Sequence, residues 1–470
     1  MIPIGGGDEI GASCYLVKVG NLFVMLDAGL RPKPYRNTPL FARAYEFTGG
    51  WRKVKGVILS HAHLDHAGAI PKVAAEAPHA EIFAPVGSLS LLKIQVKNVL
   101  AARARNGKKF AEDYEEVKYQ VELVDRCLER VREVPFFSPT KIPCTNVYFE
   151  FWPAGHLLGS ASVFLQTREG TLLYTGDVCT TKLASVGPLQ YPNRMVDHVV
   201  SESTRLSGYG RDSRERSPAV GGNDRAAFLK KVEEVTSRGG TAVVPCFALG
   251  KAQEVLATLA RWNAGRSHEV PVFTDGLVTP ITDAYRLFYT SKSGNVGRSP
   301  SIFDGIRRAR PLPRDIDEYA RSVPEYAGAV IVASSGRLVD GSKSAYWVHG
   351  LADYPECAVL FTSGSEGKDE EWPGRVCRRL LEEKKARLNG EEVQVQCEVA
   401  WFDLSTHAPA EGLLDLLAGL KPSEVLFVHG YASPNDVAAF QTDLERATRK
   451  VIDCRKARNL EDYSLKSGSD

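Results

Sequence analysis

The sequence predicts an α/β protein in two interleaved parts: a β-rich domain built from both ends of the chain, and a parallel α/β domain set into it. Three observations carry this. Short apolar runs with strand character crowd the first two hundred residues, strands alternate with helical stretches from about 224, and β texture returns after about 391. At 470 residues the chain exceeds one ordinary hydrophobic core, which implies two to four domains or one large domain with an insertion. A hydrophobic fraction of 43% and a charged fraction of 25% are those of a soluble globular protein. No apolar run approaches the roughly 20 residues that span a bilayer. The start, "MIPIGGGDEI", lacks the basic and apolar regions of a signal peptide, so the expected location is the cytoplasm. Nine cysteines without a Cys-x-x-Cys pair suggest reduced packing residues, not a disulfide framework or a thiolate zinc site. A net charge of +2 decides nothing about polyanionic partners, because local distribution governs that.

In chain order, "ASCYLVKV" and "NLFVMLDAG" flank Gly20 and Asn21 and read as a hairpin. The strand "GVILS" follows, then helical spacing from Ala69 to about Glu76, the strand "IFAP", and a helix from Ser88 to Arg105. "VYFEFWPAG", "SASVFLQT", "TLLYTGD" and "HVVSES" are further strands. The stretch 207–225, rich in Gly, Ser and charge, is a long loop or boundary. Beyond it a helix around 224–237, the strand "TAVVPCFALG", the helix "KAQEVLATLARW", and the strands "VPVFTD", "AVIVAS" and "AVLFTSG" alternate as in a parallel sheet. The closing part reads as β ("EEVQVQCEVAWFDLS"), the helix "APAEGLLDLLAGL", the strand "EVLFVHG", and a last helix and strand. There is no repeat or low-complexity segment.

The chemistry concentrates in "VILSHAHLDHAGAI", which places His61, His63, Asp65 and His66 within six positions of a chain that has only ten histidines. Histidines two apart at a strand end can aim both rings at one point, while the next Asp and His face a neighbouring point, an arrangement suited to two metals. A nitrogen and carboxylate set without thiolate fits Zn²⁺ best and Mn²⁺ or Fe second. A mixed pair of this kind suggests a hydrolytic site more than a closed structural cage. Surface histidines are the plainer alternative, but metal-ligand types seldom cluster so by accident. Further candidates stand at strand ends: His156 in "PAGHLLGSAS" and Asp177 in "LLYTGDV". Either alone would read as a structural hydrogen-bonding residue. Their order after H-x-H-x-D-H makes them convincing together.

In that order these motifs resemble the metallo-β-lactamase fold, and "MLDAG" matches its first motif, with Asp27 as the aspartate that orients ligands from behind. "SESTR" with Glu202, "STHAPAEG" with His407, "LFVHG" with His429 and "VVPCFALGKAQEVL" further resemble the β-CASP nucleic-acid hydrolases. That branch includes bacterial RNase J and the pre-mRNA 3′-end endonuclease, and the resemblance covers nearly the full length. It implies a four-layer αββα domain from residues 1–207 and 389–470, a β-CASP domain inserted at 208–388, and a substrate path in the cleft between them. Carried over by motif, His61, His63 and His156 would bind one zinc, Asp65, His66 and His429 the other, with Asp177 bridging. Asp65 and Asp27 also belong to the implied catalytic set. A hydroxide shared by the metals would be the nucleophile, His407 would protonate the leaving oxygen with Glu202 fixing its ring, and the products would be 5′-phosphate and 3′-hydroxyl ends. His429 stands where the DNA-processing branch usually has an apolar residue, which favours single-stranded RNA as substrate.

The sequence departs from the family pattern at Tyr431, where a Glu is common, at Pro409, where an Asp is common, and at Lys251, where an Arg is common. Lys251 keeps the charge without the bidentate fork for phosphate. "ASSGRL" resembles a phosphate-cradling loop, making Ser335 and Gly336 candidates for substrate contact, whereas "FTSGSEGKDEEWPGR" is more divergent. "GGGDEIG" precedes a strand, not a helix, so dinucleotide binding is not expected, and "GRLVDGSKS" misses the Walker spacing. Among basic runs, 93–109 lacks any acidic residue and is the first choice for a nucleic-acid path. The expected activity is therefore a zinc-dependent ribonuclease, endonucleolytic, 5′–3′ exonucleolytic or both. The alternatives are a hydrolase of small esters or thioesters, which needs no inserted domain, and a non-catalytic RNA-binding scaffold, which need not keep every ligand. With a short tail after His429, any homodimer has to use the two core domains.

Overall fold

The computed structural model describes residues 1–31, 38–106, 121–210, 224–291, 300–362 and 374–464. The chain forms two compact units, one of Met1–Lys182, Pro188–Arg216 and His407–Asp470, the other of Leu183–Gly187 and Ser217–Thr406.

In the first unit β1 (Ile2–Gly5), β2 (Cys14–Val19), β3 (Leu22–Leu26), β4 (Val54–Ile58), β5 (Glu81–Pro85) and β6 (Val131–Val134) lie side by side in one sheet. β1 to β3 pair antiparallel and β3 to β6 pair parallel. The expected hairpin thus forms around Gly20, whose φ of 58° suits a residue without Cβ. A second sheet begins with β7 (Thr140–Lys141), β8 (Tyr148–Pro153), β9 (Ala161–Gln166), β10 (Thr171–Tyr174) and β11 (His198–Glu202).

The other unit holds β12 (Ala242–Pro245), β13 (Val272–Asp275), β14 (Ile306–Arg308), β15 (Val330–Ala333), β16 (Ala358–Phe361) and β19 (Glu398–Trp401), all parallel, in the order β14-β13-β15-β12-β16-β19. β17 (Lys385–Leu388) and β18 (Glu391–Gln394) form a separate hairpin. β12, β15 and β16 are buried along their whole length, as parallel strands covered on both faces are. Residues 389–406, grouped in sequence with the closing part of the first domain, fall in this unit: β18 belongs to the separate hairpin and β19 pairs with β16. β20 (Glu424–Val428) and β21 (Asp453–Lys456) then return to the second sheet of the first unit, giving the order β21-β20-β11-β10-β9-β8-β7.

The first unit is layered by alternation along its strands. Val200, Leu426 and Val428 point inward to meet Tyr15, Val24, Ile58 and Phe83 of the opposing sheet. Val199, Val425 and Phe427 point outward under the helices Ala410–Leu420 and Pro434–Thr448, packing on Leu413, Leu417, Phe440 and Leu444. The helices Ser88–Asn106 and Val121–Glu129 pack on β5 and β6 of the first sheet, which completes the αββα order. The second unit has its own core around Trp347, Tyr319, Ile331 and Val359. All nine cysteines are free thiols, eight buried and Cys144 exposed. No helix among the described residues is long and apolar enough to cross a membrane.

Parallel pairing has one consequence for function: β3 with β4, and β10 with β11 and β20, end on the same side of their sheets. Asp27, His61, Asp177, Glu202 and His429 all stand at or just past those ends, where open α/β sheets collect ligand-binding loops.

Candidate metal centre and its flanking dyad

Two loop pairs are drawn together by backbone. Ala28 N–H donates to His66 O at 2.7 Å, Ser13 N–H to Asp65 O at 2.9 Å and Leu30 N–H to Leu64 O at 2.7 Å, lacing "DAG" against "HLDH". Gly29 allows this, since a Cβ there would lie 1.7 Å from Asp65 O. Likewise a Cβ on Gly430 would lie 2.3 Å from Ser203 O, so the residue after His429 has to be glycine for β20 and β11 to end together. Asp27 and His429 adopt left-handed backbone, φ 57° and 49°. That conformation is costly for side chains larger than glycine and is typical of residues held for function.

The predicted residues gather into two donor groups that share Asp177. In the first, His61 Nε2 lies 3.1 Å from His63 Nδ1, His156 Nε2 lies 3.3 Å from His63 Nδ1, and Asp177 Oδ2 lies 3.6 Å from His61 Nε2 and 3.8 Å from His156 Nε2. In the second, His429 Nε2 is 3.3 Å from Asp65 Oδ2, while Asp177 Oδ1 is 3.2 Å from His66 Nε2 and 3.5 Å from His429 Nδ1. Asp177 thus turns one oxygen to each group. The first set has the spacing of metal ligands, since donors at about 2.1 Å from a tetrahedral Zn²⁺ would stand about 3.4 Å apart; in the second, His429 turns Nε2 to Asp65 and Nδ1 to Asp177, and one of the two nitrogens would ligate. His66 Nε2 and Asp177 Oδ1 are buried without a hydrogen bond, as lone pairs kept for a cation would be. Burial pushes His61 toward its neutral, ligating form. Asp177 stays ionised despite its burial because His66 and His429 flank it.

Asp27, fully buried, organises both groups from behind. Its Oδ2 accepts from His66 Nδ1 at 2.8 Å, Tyr174 OH at 2.6 Å and Ser60 Oγ at 2.7 Å, and its Oδ1 accepts from Ser60 N–H at 2.6 Å. Ser60 Oγ also meets His61 Nδ1 at 2.9 Å. Since the serine proton goes to Asp27, His61 must donate from Nδ1, and the network fixes the same tautomer in His61 and His66. Ser60 and Tyr174 were not among the sequence candidates, although each sits beside a motif, in "SHAHLDH" and "LLYTGD".

A third grouping joins Asp177, Glu202 and His407. His407 Nδ1 is 3.2 and 3.1 Å from the two Glu202 oxygens and 4.0 Å from Asp177 Oδ2. Glu202 is buried and accepts from Val178 N–H at 2.7 Å. Other unanticipated contacts support the same loops. Thr204 Oγ1 lies 3.3 Å from His429 Nδ1, and Lys456 donates to Ser203 Oγ at 3.1 Å and to Gly430 O at 2.8 Å.

The substrate candidates belong to the second unit. Lys251 begins the helix Lys251–Asn263, is buried, and donates its ammonium to Leu404 O. Ser335 accepts from the amides of Arg337 at 3.3 Å and Val339 at 3.4 Å, and a Cβ on Gly336 would lie 2.8 Å from Phe247 N. Within "KAQEVL", Glu254 is buried and binds Ala184 N–H, Ser185 N–H, Ser185 Oγ and, at 2.7 Å, Arg225. Of the basic runs, Lys97 pairs with Asp125, Arg308 with Asp283 and Arg310 with Glu325. The Arg103 and Arg105 side chains, Lys108 and Lys109, most of the 207–225 loop and nearly all of "SGSEGKDEEWPGR" lie outside the described residues.

A two-unit α/β fold with paired histidine and carboxylate groups at strand ends defines a metallo-hydrolase class, and comparison with known proteins agrees. Residues 7–103 match the metallo-beta-lactamase superfamily, and residues 392–454 match the Zn-dependent metallo-hydrolase RNA specificity domain. The chain is 26% identical over 432 residues to a Methanocaldococcus jannaschii protein named probable RNase MJ4, covering 91% of this chain and 92% of that one. It is 29% identical over 435 residues to RNase aCSPSF2 of Saccharolobus solfataricus, covering 91% and 78%. With Integrator complex subunit 11 of Danio rerio the figures are 26% over 440 residues, 92% and 69%. A crystal structure of a protein of unknown function from Enterococcus faecalis V583 superposes with a TM-score of 0.57 at 12% identity over 98% of both chains, which speaks for the fold alone. The chain thus carries a metallo-beta-lactamase superfamily segment and an RNA specificity segment, and it is similar along most of its length to proteins named as RNases.

Proposed function

We propose that the protein is a metal-dependent ribonuclease that hydrolyses phosphodiester bonds of single-stranded RNA, with two Zn²⁺ held by the two donor groups. The observation that carries this reading is Asp177, whose oxygens face separate donor groups while the His407–Glu202 pair stands 4.0 Å away. When bound, two cations would acidify a water between them and offset charge on the phosphate. His61, His63 and His156 hold the first position, Asp65, His66 and His429 the second, and Asp27 keeps His61 and His66 in their ligating tautomers. Glu202 anchors Nδ1 of His407, so Nε2 is the atom that gives a proton to the departing 3′ oxygen. The related proteins named RNase support RNA over small esters.

The test is cleavage of 5′-labelled single-stranded RNA and matched DNA, with and without chelator, beside Asp65→Ala. The expected result is chelator-sensitive RNA cleavage that leaves 5′-phosphate ends and is lost in the variant. Its ladder separates cutting within the strand from cutting inward from the 5′ end. Fully metallated protein that cleaves neither polymer would refute the reading.

A further inference from the structure

Two neighbouring strand ends of the second unit bring a partly exposed aromatic ring and a guanidinium together. Phe247 lies two residues past β12, and its ring is 39% exposed. Arg337 follows the adjacent parallel strand β15, and its guanidinium carbon sits 5.4 Å from the centre of that ring. Both loops are held firmly. Cys246 N–H donates to Ala333 O at 2.9 Å, Ala252 N–H to Phe247 O at 3.1 Å, and Gly336 presses on the Phe247 backbone with no room for a Cβ. Ser335 Oγ caps the turn that presents Arg337, and the fully buried Leu338 pins its far side. A partly exposed aromatic ring with a guanidinium over it, on hydrogen-bonded loops at the carboxyl ends of parallel strands, has the chemistry of a nucleobase platform.

We propose that Phe247 and Arg337 form a stacking subsite for one nucleotide of single-stranded RNA, the base lying on the Phe247 ring and the Arg337 guanidinium facing the adjoining phosphate. The subsite rests on the ribonuclease reading and adds to it a place where the strand is gripped without regard to base identity, since every base offers a π-face. It gives "ASSGRL" a different role from phosphate cradling by Ser335 and Gly336. Those two residues shape the turn, and the side chains on either side of the loop pair make the contact.

The test uses the metallated full-length enzyme and 5′-labelled RNA. Stacking of one base is commonly worth about 1–3 kcal/mol, so Phe247→Ala should raise KM about tenfold while kcat moves far less, and Phe247→Trp should restore KM. A single abasic residue scanned along the RNA should reproduce the KM loss at one position in the wild type and add nothing further in Phe247→Ala. Equal KM values for wild type and Phe247→Ala, or abasic and Phe247→Ala losses that multiply, would overturn the subsite while leaving the ribonuclease standing. A wild-type enzyme that does not cleave RNA would remove both.

Discussion

Asp27→Asn is the sharpest probe of the centre, because the change is nearly isosteric and Asp27 binds no metal in the arrangement described. Oδ2 receives three donors and Oδ1 a backbone N–H, so an amide NH₂ meets a donor in either orientation. Each such mismatch costs about 1–3 kcal/mol. The tautomers of His61 and His66 are released as well, and losing an outer-sphere partner typically weakens metal binding about 10–100-fold, or roughly 1.4–2.7 kcal/mol per site. Asp27 backs one residue of each donor group, so both sites should weaken, and the product of the two affinities should fall by about 10²–10⁴. Elemental analysis after dialysis against graded chelator measures this directly. Asp27→Asn protein that keeps both metals at wild-type chelator concentrations would refute the network, and loss confined to the His66 group would refute the relay through Ser60.

Three further outcomes are expected. His407→Ala should retain its metal content yet lose about 10²–10⁴ in turnover, the usual worth of a positioned general acid; unchanged kcat would remove that role. Glu254→Ala should destabilise the second unit by about 3 kcal/mol, since it removes the acceptor of three donors in the 183–187 segment and the carboxylate that meets Arg225; an unchanged denaturation midpoint would contradict this. Burial lowers the Lys456 ammonium to about 8, with Asp8 partly countering it, so between that pH and the ordinary value near 10.4 the unfolded chain holds the extra proton. Wild type should therefore gain on Lys456→Met by roughly 2 kcal/mol as pH rises from 7.5 to 10, and a constant difference in melting temperature would show that the group is not so perturbed.

That these histidines and carboxylates gather was legible because metal-ligating types are rare and stand at strand ends, where hydrophobic alternation stops. His156 and Asp177 mean little singly; their order supplied the meaning. Local pattern also located the helices Ile70–Glu76 and Ala410–Leu420 to within a residue or two. It failed where the information lies between distant segments. Nothing local to "CEVAW" shows that its strand partner is β16. Ser60, Lys456 and Glu254 are ordinary polar residues until folding sets them behind a histidine, under two loop ends or against the 183–187 backbone. Lys251 suggests a phosphate contact by its charge, and its ammonium donates to Leu404 O, a carbonyl of its own unit that no local pattern points to.

The distribution of thiols has a practical consequence. Burial pushes Cys127 and Cys377 up to about 12 and Cys246 to about 11, and a thiol that stays protonated does not alkylate readily. Cys144, the exposed one, lies by the chain reversals at Gly20–Asn21 and Arg168–Glu169, before β8. Six residues of β8 at about 3.3 Å each set it roughly 20 Å along the strand from the His156 end. A maleimide dye should therefore mark the unmodified wild-type chain at a single address remote from the chemistry, giving a fluorescent enzyme whose tumbling reports capture of RNA without a single engineered substitution.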